Sequence, residues 1–131
     1  MPLPLSVSSH LPDRVVRSNN ELREVLSAVD RRGGGEFWLA SPHQKFPCLA
    51  VRTSAGQAAI HYFPTEGHPG FRRLAEHPNQ SDLVFQFEGC DPYDGESNPG
   101  EFVIPLAEAL TVADHFMQQG GMCEPSKWFE L

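Results

Sequence analysis

Between Leu74 and Ser126 this 131-residue chain has no lysine or arginine. Residues 1 to 73 hold nine basic side chains against six acidic ones, and residues 74 to 131 hold one against eleven, so balances of +3 and −10 make up the net −7. A surface of that sign repels nucleic acid and anionic membrane and steers a basic protein toward it. An acidic face kept for solubility has the same composition. Cysteine is scarce too: Cys48, Cys90 and Cys123 are scattered and odd in number, which argues against a disulfide framework. No apolar run approaches the roughly 18 residues of a membrane span. Met1 to His10 lacks the basic and apolar regions of a secretory signal. The expected location is therefore cytoplasmic, with neither membrane nor nucleic acid as partner.

Motifs that carry chemistry are missing as well. There is no C-x-x-C, H-x-x-x-H or H-x-E spacing for zinc. Asp91, Asp94 and Glu96 do not follow the alternation of a calcium loop. Gly33 to Gly35 follows a helical pattern and no Gly-Lys-Ser/Thr comes after it, so it is no phosphate loop. No G-x-S-x-G elbow presents a nucleophile. His61, between Ile60 and Tyr62, is expected to be an outward-facing or hydrogen-bonded strand residue. The expectation is a protein without cofactor, metal or catalytic residues, not an enzyme.

What is present is a scaffold with legible punctuation. Ser18-Asn-Asn-Glu21 has the form of a capping box, which starts a helix whose apolar stripe is Leu22, Val25, Leu26 and Val29. The glycines from Gly33 stop it. Strands are expected at Glu36–Ala40, Phe46–Thr53 and Gln57–Phe63, the last two joined by the turn Ser54-Ala-Gly56. Pro64 to Ser81 reads as a long connection with a short helical turn at Phe71 to Ala75. Asp82–Glu88 alternates as a strand, and Gly89 to Gly100 reads as an acidic loop. After the apolar run Phe102 to Ile104, Pro105 opens a second helix with a stripe of Leu106, Ala109, Leu110, Ala113, Phe116 and Met117, closed by Gly120-Gly121. Trp38 and Trp128 are both expected in the core. The fold class is α+β, one domain over residues 1–131. Its mainly antiparallel sheet has four to five strands, a helix near each terminus packs on it, and residues 1–13 are expected as a flexible N-terminal segment.

The loop Asp91-Pro-Tyr-Asp-Gly-Glu96 offers an aromatic, Tyr93, ringed by carboxylates, which suits an Arg- or Lys-rich partner. The order of Ser18-Asn-Asn-Glu-Leu-Arg-Glu-Val-Leu, the Phe37-Trp-Leu strand, Pro47-Cys-Leu-Ala-Val and Ile60-His-Tyr62 carries a resemblance. Ile104-Pro-Leu-Ala-Glu-Ala-Leu, with Phe116 and Gly120-Gly121 before Trp128, is its strongest part. Over roughly residues 14 to 129 the chain resembles the first-numbered immunity-protein family of bacterial polymorphic toxin systems. These are small α+β proteins found beside nucleic-acid deaminase toxins. One departure is Met122-Cys-Glu-Pro125, where a proline nearer the glycines is expected.

The resemblance implies an immunity protein that binds a cognate toxin, a cytidine deaminase domain with a basic surface, in a 1:1 complex. A deaminase must present a basic groove to its substrate, and an acidic inhibitor can fill it. The expected toxin-binding residues are Glu66, Glu76, Glu88, Asp91, Tyr93, Asp94, Glu96 and Glu101. Pro105, Glu108, Phe116 and Trp128 are expected to be scaffold. The alternatives are a small enzyme or metal-binding protein, and a homomeric structural module.

Overall fold

Ser18 starts the first helix as its motif requires: its Oγ accepts from the Glu21 N–H at 3.1 Å, and Glu21 Oε1 accepts from the Arg17 N–H at 2.8 Å. In a capping box the carboxylate reaches the N–H of the capping residue; here it reaches one residue further back. The computed structural model describes residues 4–9, 12–87 and 95–131. Helix α1 spans Asn19–Arg31 and buries Leu22, Leu26 and Val29. Helix α2 spans Leu106–Gln119 and ends at Gly120, whose φ of 74° is the left-handed conformation that glycine reaches without strain. It buries Ala109, Val112, Ala113, Phe116 and Met117, while Leu106 and Leu110 lie at the margin of its apolar face.

Among the described residues ten strands accompany the helices: β1 Leu5–Ser8, β2 Arg14–Val16, β3 Gly35–Ala40, β4 Cys48–Ser54, β5 Gln57–Phe63, β6 Phe71–Arg73, β7 Leu83–Phe85, β8 Glu96–Asn98, β9 Ile104–Pro105 and β10 Trp128–Glu130. Eight of them form one sheet in the order β10-β6-β5-β4-β3-β1-β2, with β9 also paired to β5, and every pairing is antiparallel. The fold is thus α+β with a mainly antiparallel sheet and two helices on one face. The sheet has eight strands where four to five were expected.

The physical reasons for the difference are specific. Leu5–Ser8, expected within a flexible N-terminal segment, is a paired strand: Leu5 and Val7 are buried, and the strand sits between β2 and β3. Phe71 to Ala75 is not a helical turn, because Phe71 pairs with Tyr62 and Arg72 with His61. Of the expected strand Asp82–Glu88, the described residues up to 87 form the short β7, which pairs outside the main sheet with β8, a segment read from sequence as loop.

The main core lies between sheet and helices, where Phe37, Leu39, Leu49, Val51 and Ile60 meet Leu22, Leu26, Val112 and Phe116. Tyr62 stands edge-on to both Phe116 and Trp128, with ring centroids 6.3 Å apart in each pair. Trp128 is 8% exposed, as expected of a core residue. Arg73, 1% exposed, ties the tail to this core. Its guanidinium donates to Glu108 Oε2 at 3.1 Å, Cys123 O at 2.6 Å and Glu124 Oε1 at 2.8 Å, and it lies 5.5 Å from the Trp128 ring. Glu108, Phe116 and Trp128 are therefore scaffold.

Candidate functional site

Both helices lie on one face of the sheet, so the other face decides what the molecule presents. Strand parity assigns each side chain: Phe37 opposes Val51 and Leu39 opposes Leu49 on the helix side, while Trp38 opposes Ala50 and Ala40 opposes Cys48 on the far side. Trp38 is accordingly 40% exposed, not buried as its apolar neighbours suggested. Its ring is held all the same. Nε1 donates to Glu36 Oε1 at 3.0 Å, and the ring stacks on Phe63 at 5.8 Å, which stacks in turn on His61 at 5.1 Å. Small neighbours such as Ser6, Ser8 and Ala40 leave a trough of about 770 Å³ around Trp38 and Phe63, walled by residues Ser41 to Phe46 and by Gly67 and His68.

The β7–β8 hairpin covers another part of this face, around Ala59. Phe85 buries against Ala59 and Val103, and the Gln86 N–H donates to Ser54 Oγ at 3.1 Å. Three basic side chains share the floor under it. Arg52 Nε lies between Glu36 Oε2 at 2.8 Å and Glu96 Oε1 at 2.9 Å. Arg72 donates to Asn98 Oδ1 at 3.3 Å and covers the Phe102 ring at 4.4 Å. Its Nε is buried with no hydrogen-bond partner among the described residues. His61 is pushed down to about 4, first by burial and then by the neighbouring Arg72 and Arg52 charges, so its imidazole is neutral at pH 7.

The expected toxin-binding residues do not form one site. Glu66 lies on the exposed turn after β5, beside the trough wall. Glu76 and Glu101 are brought together past the far end of β6, where the Ala75 N–H donates to Glu101 O at 2.8 Å. Glu96 is not a free loop carboxylate: it is in β8 and bound to Arg52. Glu88, Asp91, Tyr93 and Asp94 lie outside the described residues.

Space also rearranges the charge. Of the eleven acids after residue 73, eight are described, and four of these pair with Arg or Lys: Glu96 with Arg52, Glu108 with Arg73, Asp114 with Arg23, and Glu124 with Arg73 and Lys127; Glu130 lies 3.3 Å from His68 Nε2. Arg23, Arg52 and Arg73 of the first 73 residues thus offset part of the acidity of the rest. Glu76, Asp82 and Glu101 remain exposed and without an ion pair to a described residue. Asp82 was not singled out from sequence, and neither was Trp38 as a surface residue. Alternation along Glu36–Ala40 was the signal that could have found the second.

No group of three His, Cys, Asp or Glu side chains is placed to hold a metal among the described residues. Cys48 and Cys123 are free thiols, and burial pushes Cys48 up. No family model matches the chain, and no curated protein matches it.

Proposed function

We propose that this chain is an immunity protein that binds a cognate bacterial toxin, a nucleic-acid deaminase with a basic surface, in the cytoplasm and blocks it as a 1:1 complex. The observation that carries the reading is Trp38: a large aromatic, 40% exposed, fixed by Glu36 and Phe63 in a trough on the face that the helices leave open. A rigid aromatic on an uncovered surface is the type of residue on which interface affinity concentrates. The order of family-like motifs from Ser18 to Trp128 names the class of partner. Exposed Glu76, Asp82 and Glu101 supply charge that a basic substrate groove would meet; Asp91, Tyr93 and Asp94, expected from sequence to join them, lie outside the described residues. Inhibition needs no chemical step, only occupancy of that groove.

The test is co-expression with the toxin domain encoded beside this chain, then co-purification and deamination assays on single-stranded DNA, double-stranded DNA and RNA. A stable complex without deaminase activity is expected. An active toxin that does not co-purify would overturn the proposal. A small-molecule reading is favoured by one observation, since about 770 Å³ is the size of a ligand pocket. Binding of a small metabolite to the trough, lost in Trp38→Ala, would identify it.

A further inference from the structure

The open face carries a chain of contacts that runs from Trp38 to the β7–β8 hairpin. Glu36 and Arg52 are register partners on β3 and β4, and Trp38 follows Glu36 by two residues, so all three project on the side away from the helices. The two oxygens of Glu36 are divided: Oε1 accepts from Trp38 Nε1 at 3.0 Å, and Oε2 accepts from Arg52 Nε at 2.8 Å. The same Arg52 nitrogen lies 2.9 Å from Glu96 Oε1 of β8. Arg52 is the sheltered member, its side chain 16% exposed against 34% for Glu36 and 37% for Glu96. Two carboxylates of like charge thus converge on one guanidinium. Without it their interaction changes sign, from attraction through a shared cation to direct repulsion at close range.

We infer that Arg52 is a positioning residue: it fixes the Trp38 ring for a partner by holding Glu36 in place, and it makes that hold depend on Glu96 of the hairpin. A glutamate side chain has several rotatable bonds, and a partly exposed carboxylate finds water in many of its rotamers. Glu36 orients the indole only while one rotamer is selected, and its ion pair with Arg52 selects it. The ring is then held at two points, Nε1 on Glu36 and its face on Phe63. A side chain that is ordered before binding avoids the loss of freedom on contact. That Trp38 is a toxin contact rests on the function proposed above; that Arg52 fixes the ring does not.

The readout is the NMR order parameter of each tryptophan indole N–H in the full chain. Trp128 is the internal control, because its Nε1 donates to Cys123 O at 2.7 Å within the core. Arg52→Met keeps the side-chain stem and should lower the Trp38 indole from about 0.85, a rigid value, to below about 0.6, while Trp128 stays rigid. Adding Glu96→Gln removes the repulsion and should return part of the lost order. In calorimetry with the toxin, Arg52→Met should weaken binding about three- to tenfold, the effect of ordering one freed side chain. Trp38→Ser/Arg52→Met should bind within about twofold of Trp38→Ser, because Arg52 acts through the ring. If Arg52→Met fails to fold, Arg52→Lys, which keeps the charge but lacks the planar fork, should loosen the same indole in part. An unchanged Trp38 order parameter, equal loosening of Trp128, no recovery with Glu96→Gln, or additive losses in the double variant overturns the inference. Loss of indole order without loss of toxin affinity would refute the positioning role and keep the immunity reading. A wild type that binds no toxin would refute that reading, and the indole measurements alone would then decide whether Arg52 fixes the ring.

Discussion

Replacing His61 by phenylalanine should alter how stability depends on pH while sparing the fold, since the ring stack on Phe63 is kept. The folded imidazole sits at about 4 against an ordinary 6.5, because burial disfavours its charged form and Arg72 and Arg52 add repulsion. The sign follows from proton counting. Between those two values the unfolded chain binds a proton that the native state refuses, so His61 costs stability as pH falls through 6.5 toward 4 and costs nothing above. Integrated over that shift, the penalty at pH 5 is about 2 kcal/mol. Urea denaturation of the wild type and His61→Phe near pH 5 and near pH 7.5 isolates it, because titration of the other histidines cancels in the double difference. The variant should gain about 2 kcal/mol on the wild type on going to the lower pH. A double difference under about 0.5 kcal/mol, or an NMR titration placing His61 above 6, would refute the reasoning. Arg72→Gln should recover only part of the shift, because burial is its larger cause.

Arg73→Leu leaves the Glu108 carboxylate and the Cys123 carbonyl without their buried partner and should cost about 3 to 5 kcal/mol in a denaturant titration. Adding Glu108→Leu should restore part of the loss, and Arg73→Lys should not rescue it, since a lysine cannot reach three acceptors in a plane. Gly34→Ala should prevent folding or lower Tm by more than 10 °C, on the order of 2 kcal/mol or more. Its φ is +98°, and a Cβ there would stand 2.3 Å from Thr53 O and 2.5 Å from Gln86 O. Trp38→Ser should change stability by less than about 1 kcal/mol, yet weaken toxin binding in calorimetry about thirtyfold or more, the effect of losing a hot spot of about 2 kcal/mol.

The parts of the fold that were legible in sequence are those set by local chemistry. Ser18 caps because its hydroxyl reaches an N–H three residues on, Gly120 closes α2 because only glycine adopts φ 74° there without strain, and the β4–β5 hairpin follows from its tight turn. The parts that were not legible depend on distant partners. Leu5–Ser8 is a strand only because β3, some thirty residues later, pairs with it. Phe71–Arg73 is extended because β5 and β10 lie on either side. For the site, the acidic bias was legible, but where it survives was not, because that depends on which arginines cross over. Arg23 and Asp114 are 91 residues apart in the chain, and Arg73 reaches Glu124 over 51.

That cancellation changes how an interface should be sought in this molecule. Charge counted along the chain places a field of −10 on its second part, yet an ion pair that holds α2 to α1, or the tail to β6, is spent on the scaffold and has little left to attract a partner. Among the described residues of that part, what can steer a basic partner is Glu76, Asp82 and Glu101; Glu101 adjoins Phe102, whose ring meets Phe129, and Trp38 lies across the sheet on the same open face. Because these carboxylates are solvated, they should govern how fast a partner arrives and how strongly salt slows it. The aromatic groups should govern how slowly it leaves. Charge reversal at Glu76 and Glu101 is therefore expected to act on the association rate, and Trp38→Ser on the dissociation rate. Stopped-flow binding at two salt concentrations that showed the opposite assignment would mean that the free acids, and not the exposed rings, form the centre of the contact.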